Sequence, residues 1–372
     1  MDSLIYLLLV PLIWPLIAKV VFKKELTFPE VGAVMISVML VTTGMWYASR
    51  FGAMEDTEIW NGQITGKTRQ EVSCDHSYDC NCRETCSGSG TSKSCSRSCD
   101  TCYEHRYDVE WHVSSSVGNF EINTVDRQGV VQPPRWSAVQ VGQPAASSHI
   151  YKNYVKGAKD SLFNLNKTQN QSFAPLIPTY PSSVYDYHYV NHTVSVGVPV
   201  HNQRDWEMLI ANMLRTLGPT KQVNFVTVFV NTPDPDYINA LQAAWLGGKK
   251  NDVILVIGSS KYPTIDWVDV ISWTDNQLFK VQLRDAVKAV GVIDIAQIMP
   301  IVNAEISKNF NRKHMADFEY LLSEIRPSDT WMWIIGVISA IMSIGFTIFL
   351  SQPGVSLSNM FNRRSLRYGR YR

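Results

Sequence analysis

The sequence predicts an α+β protein tied to a membrane by three transmembrane helices, with a small antiparallel β-domain carrying a Cys-rich insertion and then an α/β sandwich. Three observations carry this expectation. Uncharged apolar blocks lie near both ends of the 372-residue chain, all seven cysteines fall between Cys74 and Cys102, and strands alternate with helices after His192. The division that follows is 1–49 for two spans and 50–150 for the β-domain, with its insertion at 74–105. An extended connection covers 151–191, the α/β domain 192–326, the third span 330–351 and a basic tail 352–372.

The first block, Leu4 to Ala18, is uncharged and continues past Lys19 through Val20, Val21 and Phe22, close to the ~20 residues a helix needs to cross hydrocarbon. Pro11 and Pro15 are tolerable there, because membrane helices re-satisfy the freed carbonyls through neighbours and hydroxyls. A cleaved signal peptide is the rival reading, but Asp2 stands where a basic n-region belongs and no small-residue cleavage site follows. The second block, Val31 to Ala48, ends in Trp46 and Tyr47, aromatics that favour the headgroup layer. The third, Trp331 to Leu350, opens with Trp331 and Trp333 and is apolar on all faces, which argues for a span over a buried core helix. Gly32, Gly44, Gly336, Ser339, Ser343 and Gly345 are candidates for close helix approach.

Lys19, Lys23 and Lys24 sit between the first two blocks, and Arg363, Arg364, Arg367, Arg370 and Arg372 follow the third. The positive-inside rule puts both regions in the cytoplasm and residues 50–329 outside it. The expectation is therefore a bacterial inner membrane with a periplasmic domain. The arginine tail could also touch anionic lipid, though a plain topology role is the simpler one. The formal net charge is +1 and no basic stripe is present, which excludes a nucleic-acid-binding surface that would have to neutralise phosphates.

The cysteines run Cys74-x5-Cys80-x-Cys82-x3-Cys86, then Cys95-x3-Cys99-x2-Cys102, with His76 and His105 close by. Two chemistries fit. Seven thiolates and one or two imidazoles would supply two tetrahedral zinc sites. Alternatively, three disulfides with one thiol left over would staple the same stretch, and placement outside the cytoplasm favours this. Cys99-x2-Cys102 has the spacing of thiol oxidoreductases but lacks the helix N-terminus that activates such a pair. Either way, so polar a stretch cannot form a core unaided.

Period-two alternation predicts strands at Glu58 to Thr65, Thr68 to Ser73, Tyr107 to Val113, Phe120 to Thr124 and Ser137 to Val141, with turns at Asn61-Gly62 and Gly118-Asn119. Val131 to Ser147 reads as irregular, and Ser172 to Tyr189 as an extended segment on the surface. Later strands are expected at Val194 to Val198, Asn224 to Val230, Asp252 to Ile257 and Val268 to Ser272. Helices are expected at Arg204 to Leu217, Asp236 to Leu246, Phe279 to Val290 and Ile301 to Glu324.

Within this region, Ala244-Trp245-Leu246-Gly247-Gly248-Lys249-Lys250-Asn251-Asp252 leads into the apolar run Val253 to Ile257. Trp267 to Trp273 follows as the next strand, and Phe310 to Leu322 as a closing helix. Residues 224–322, about a quarter of the chain, resemble the TPM domain family in these segments and their order. The resemblance implies an α/β sandwich tethered to a membrane, a possible calcium site and, for parts of the family, a phosphatase activity. Where that family carries a Gly-rich turn, this chain has Ser272-Trp273-Thr274-Asp275-Asn276. The whole arrangement also looks like a membrane protein of tailed bacteriophages, a likeness that carries no functional expectation.

Asp234, Asp236, Asp252, Asp266, Asp269 and Asp275 lie near predicted strand ends, where open α/β sheets place their sites. Convergence of Asp234, Asp252, Asp269 and Asp275 would make a divalent-cation site, with calcium the simplest occupant. Against this, aspartate is common in turns and caps for local reasons. His188, His201 and His314 are isolated, and no Walker loop, dinucleotide fingerprint or nucleophile elbow occurs. Asn166, Asn170 and Asn191 are glycosylation acceptors by pattern, relevant only in a eukaryotic host. The leading expectation is a non-enzymatic protein that recognises another envelope protein. The alternative is a metal-dependent, TPM-type hydrolase of phosphate esters.

Overall fold

A computed structural model describes residues 2–22, 26–87, 94–158, 171–186, 189–352 and 355. Lys23, Lys24, Asn166, Asn170, His188 and the tail arginines Arg363, Arg364, Arg367, Arg370 and Arg372 lie outside the described residues. The chain divides into two compact units, one of Met1–Asp56, Ile150–Thr168 and His314–Arg372, the other of Thr57–His149 and Gln169–Lys313.

The first unit is built on three helices, Asp2–Val21, Phe28–Met54 and Asp329–Leu350, all long and apolar enough to cross a bilayer. The second helix starts earlier than its apolar run because Thr27 and Glu30 form a capping box, the Thr27 N–H donating to Glu30 Oε2 at 2.8 Å. It also runs on past Ala48, since Arg50 donates to the carbonyls of Leu322 and Ile325 and so has partners for its charge. Each helix packs on the other two, with Leu7, Trp46 and Ile335 in one contact and Val34, Val38 and Leu350 in another. The third helix presents Ile335, Ser339, Ser343 and Thr347 as a buried stripe at four-residue spacing. Thr42 Oγ1 donates to Ser339 Oγ at 3.0 Å, and Trp14 Nε1 to Thr347 Oγ1 at 3.1 Å. Hydroxyls, not glycines, therefore mark the helix contacts. A Cβ added at Gly32, Gly44 or Gly345 would meet nothing within 4 Å, and at Gly336 only Leu7 at 3.5 Å.

Where the second helix ends, Asp56 is buried and accepts from Asn153 Nδ2 at 2.8 Å and Tyr151 Oη at 3.2 Å, with Lys156 Nζ at 3.5 Å. This fixes the segment after Ile150 to the chain leaving the second helix. Gly157 sits so close that a Cβ would stand 3.0 Å from Met54 and 3.1 Å from Ile325.

The second unit holds two four-stranded sheets. Its strands in chain order are β1 (Glu55–Val72), β2 (Ser77–Ser87), β3 (Ser94–Tyr103), β4 (Asp108–Ser115), β5 (Gly118–Ile122) and β6 (Pro144–Lys152). Then come β7 (Val184–Tyr185), β8 (Tyr189–Val190), β9 (Thr193–Val196), β10 (Asn224–Val230), β11 (Asp252–Gly258) and β12 (Trp267–Ser272). The first sheet has the order β5-β4-β1-β6. β1 is one strand of 18 residues with an irregularity between Ile64 and Gly66, where the alternation suggested two strands. Asn61-Gly62 makes no turn. The Asn61 amide donates to Asn224 Oδ1 at 3.0 Å instead, and a Cβ on Gly62 would collide with Ser116. The strand expected over Ser137 to Val141 is replaced by a short helix, Pro134–Ala138, with Pro at its start. That helix sets Trp136 edge-on to Trp111 at 4.7 Å between ring centres. Ile64, Val109, Trp111, Val113 and Ile122 form the core of this sheet.

The second sheet has the order β12-β11-β10-β9, with β9, β10 and β11 parallel and β12 antiparallel at the edge. β10 and β11 are buried along their whole length, as unbroken apolar strands covered on both faces must be. Phe225, Phe229, Leu255 and Ile257 pack against the helices Gln203–Lys221, Gln277–Val290 and Ile295–Asn309. On the other face Val226, Val228, Ile254 and Val256 meet the short helix Tyr237–Ala244 together with Phe173, Leu176, Ile177 and Tyr180. The segment expected on the surface is thus part of a core layer, because one helix of eight residues is too short to cover that face. The expected helix from Ile301 to Glu324 is two elements: Ile295–Asn309 ends at buried Phe310, and Met315–Ser323 is a separate 3-10 turn. That turn belongs to the first unit.

Candidate functional site

β1 and β4 pair antiparallel from Ile64 opposite Ser115 to Val72 opposite Asp108, and the Cys-rich stretch is inserted between them as the β2–β3 hairpin. This hairpin forms an arm. No described side chain on it is buried, and only Cys80, Cys82, Cys99 and Cys102 are half-buried. A two-stranded hairpin without a packed face is marginal in water. Here three disulfides, Cys80–Cys102, Cys82–Cys99 and Cys86–Cys95, replace the missing core. Asn81, in the left-handed region at φ 47°, lies where the register shifts between Cys80 and Arg83.

Six cysteines are consumed in this way, and only Cys74 keeps its thiol. The two-zinc arrangement is therefore ruled out, since it needs cysteines that are already bonded to each other. Cys74 lies at the neck of the arm, two residues beyond Val72. Register brings three other ligand residues to it: His76 from the same side, His105 and Asp108 from the other. His105 Nδ1 is 3.8 Å from Cys74 Sγ and 3.2 Å from Asp108 Oδ1, and His76 Nδ1 is 3.3 Å from Asp108 Oδ2. One ligand atom from each residue falls within 4.8 Å of all the others. Cys74 is only 4% exposed, Asp108 is buried and the two histidines are half-buried. Burial acts to raise the Asp108 carboxyl. Hydrogen bonds from the Asp75 N–H, Cys74, His76 and His105 outweigh it and hold the pKa below the ordinary value. A cavity of about 360 Å³ opens beside the cluster, lined by Ser73, Cys74, Tyr103, His105 and Arg106.

Sequence reading selected Cys74, His76 and His105 but missed Asp108. Its only local signal is the spacing His105-x2-Asp108, and the strand register supplies the rest. The second ligand-like group among the described residues, Glu84 with Cys86 and Cys95, is spent, because both sulfurs are in a disulfide.

The aspartates of the second sheet go elsewhere. Asp252 is buried and accepts from Tyr180 Oη at 2.7 Å, Asn224 Nδ2 at 2.9 Å and the Lys249 N–H at 2.7 Å, while burial pushes its pKa up to about 6. It braces the turn through Leu246, Gly247 and Gly248, all at positive φ, and a Cβ on Gly248 would stand 2.9 Å from its carboxylate. Asp234 accepts from the Asp236 N–H at 3.0 Å at the entry to the helix Tyr237–Ala244. Asp269 accepts from the Val270 N–H at 2.7 Å, and Asp275 pairs with Lys313. Among the described residues no three of these four carboxylates come within ligand distance of one another, so the expected calcium site does not assemble.

Sequence reading also passed over Glu58, which is fully buried on β1 and bonded to Arg312, with Lys250 Nζ and His149 Nδ1 each 3.4 Å away. Trp60 donates to Glu58 at 3.0 Å and stacks on His149 at 3.9 Å between ring centres. Asn251 donates to the Ile59 carbonyl at 2.8 Å beside it. These groups join the first sheet to the second and have a structural role. His192 is likewise structural: its Nδ1 is 3.0 Å from the Phe225 carbonyl, and burial pulls its pKa down to about 4. Compared with known proteins, the chain matches no family model, no curated protein and no solved structure.

Proposed function

We propose that this chain is a membrane-anchored recognition protein that presents its second unit to another protein of the same envelope, with the disulfide-laddered arm as the contacting element. The observation that supports this reading is the arm itself, two strands held rigid by three disulfides while exposing every described non-cysteine side chain. Tyr78 and Tyr103 are 51% and 58% exposed, and Arg83 and Arg97 are exposed too. Tyrosine and arginine are residues that dominate binding interfaces, and a surface ordered in advance loses less entropy on association.

In this reading the membrane is a bacterial inner membrane, residues 50–329 are periplasmic, and the basic tail is cytoplasmic. The basic residues beside the spans support that orientation, and disulfides support an oxidising side. The strand and helix order over residues 224–258 supports the TPM-type likeness, with that sheet as a second recognition module.

The test is photo-crosslinking in intact cells with a probe at Tyr78 or Arg97, and at Asp285 on a surface helix as control. Arm probes should yield a discrete adduct that the control does not. Adducts at Asp285 with none from the arm would overturn the assignment. A reporter inserted beside Gly157 tests the orientation and should read as extracytoplasmic.

A further inference from the structure

We propose that Cys74, His76, His105 and Asp108 bind a single zinc ion that clamps the neck of the arm. The donors lie close enough to share one ion. Tetrahedral zinc with bonds of about 2.0–2.3 Å sets its ligand atoms roughly 3.3–3.8 Å apart. His105 Nδ1 stands 3.2 Å from Asp108 Oδ1 and 3.8 Å from Cys74 Sγ, His76 Nδ1 stands 3.3 Å from the other carboxylate oxygen, and one ligand atom from each of the four residues lies within 4.8 Å of all the others. The donor set has the right chemistry as well. A thiolate and two imidazoles select zinc over calcium or magnesium, which take oxygen ligands. Thiolate and carboxylate together neutralise the ion, which suits a pocket where Cys74 and Asp108 are buried.

A second observation is independent of distance. Cys74 keeps its thiol beside a stretch in which the six other cysteines are oxidised. An odd thiol left in an oxidised stretch needs a reason to persist, and coordination to a metal is one. An outer contact of the kind that orients a ligand is also in place: the Asp75 N–H donates to Asp108 Oδ2 at 3.0 Å.

The position gives the ion a task. The first disulfide from the neck joins Cys80 to Cys102, leaving the two chains between it and the Val72–Asp108 pair without a covalent link. Zinc bound by Cys74 and His76 on one chain, and His105 and Asp108 on the other, closes that gap and fixes the arm to the first sheet. The inference does not depend on the recognition reading, because metal binding is measured on the purified chain without any partner.

The experiment uses the full-length chain in detergent, purified without reductant. Metal content is measured by elemental analysis, followed by chelation and titration with zinc and then cobalt(II). One zinc per chain is expected, with a thiolate-to-cobalt charge-transfer band in the unaltered protein. Cys74→Ser should abolish that band, and Cys74→Ser and His105→Asn should each weaken zinc binding at least tenfold. Zinc should also slow amide exchange over residues 73–76 and 103–108 in the unaltered chain. Substoichiometric zinc without the cobalt band would overturn the proposal. So would an affinity unchanged by both substitutions, which would mark adventitious binding to surface histidines. The cobalt band is read on the unaltered protein, so a variant that fails to fold does not blur the result.

Discussion

β10 and β11 bury every residue they contain, whereas the described part of the arm buries none. The sheet is held by transfer of apolar surface from water, with each fully buried Val, Leu, Ile or Phe contributing about 1.5–3 kcal/mol relative to exposure. Those strands contain no disulfide, and their order follows from being covered on both faces. The arm has no such source of stability, and its order comes from crosslinks that restrict the unfolded chain. The contrast teaches that the exposed surface of the arm is possible only because its stability does not depend on burial.

The largest expected effect breaks the arm alone. Reduction and alkylation of the three disulfides should abolish amide-exchange protection over Ser77–Ser87 and Ser94–Tyr103 and leave Asn224–Val230 and Asp252–Gly258 protected. Persistence of arm protection after all six thiols are blocked would show that something other than the disulfides orders it. The converse experiment is Phe229→Ala. This side chain is 0% exposed in the larger core, and its truncation should cost roughly 3–5 kcal/mol in denaturant unfolding. Arm protection should survive in the folded fraction, and a matching loss in both regions would mean that they are one cooperative unit.

Acid provides a finer separation. The folded pKa of His192 is lowered to about 4, so its contribution is fully present above the unfolded value of 6.5 and is lost as pH falls to about 4. At about 1.4 kcal/mol per unit this comes to about 3 kcal/mol. Asp252 works in the opposite direction. Its folded pKa is raised from 3.8 to about 6, so its contribution is present at low pH and is lost as pH rises through about 6. The two oppose each other, so between pH 6.5 and 4 the unaltered sheet should lose less stability than His192 alone would cost. Asp252→Asn should expose the His192 slope in pH-dependent denaturation, while a His192→Gln partner variant should remove it. The smallest effect lies in the three long apolar helices, where Thr42→Ala removes the hydrogen bond to Ser339. A loss of about 0.6 kcal/mol is expected in detergent unfolding.

Local pattern made part of this molecule legible. β10 coincides with the run read from its apolar residues alone, because a strand buried on both faces cannot be disguised by its surroundings. The same holds for the Gly247-Gly248 turn, where positive φ selects glycine. Alternation failed where non-local contacts overrode it. Asn61-Gly62 has the chemistry of a turn, but it lies within β1 because Asn61 finds Asn224 and Gly62 gives room to Ser116. Phe173, Leu176, Ile177 and Tyr180 sit in a Pro-rich stretch that reads as surface, yet an uncovered sheet face draws them into a core.

By itself the sequence determined that the chain has three helices able to span a bilayer, that the later sheet is built on fully apolar strands, and that the cysteine stretch must be crosslinked or metallated to hold a shape. Each of these follows from composition within a short window, where hydrophobic transfer and backbone preference act locally. Tertiary structure decided which cysteines pair, that Cys74 is the one left over, and that Asp108 joins His76 and His105 beside it. The pairing follows the register of β2 against β3, and the Cys74 cluster follows that of β1 against β4, which brings together residues some thirty positions apart.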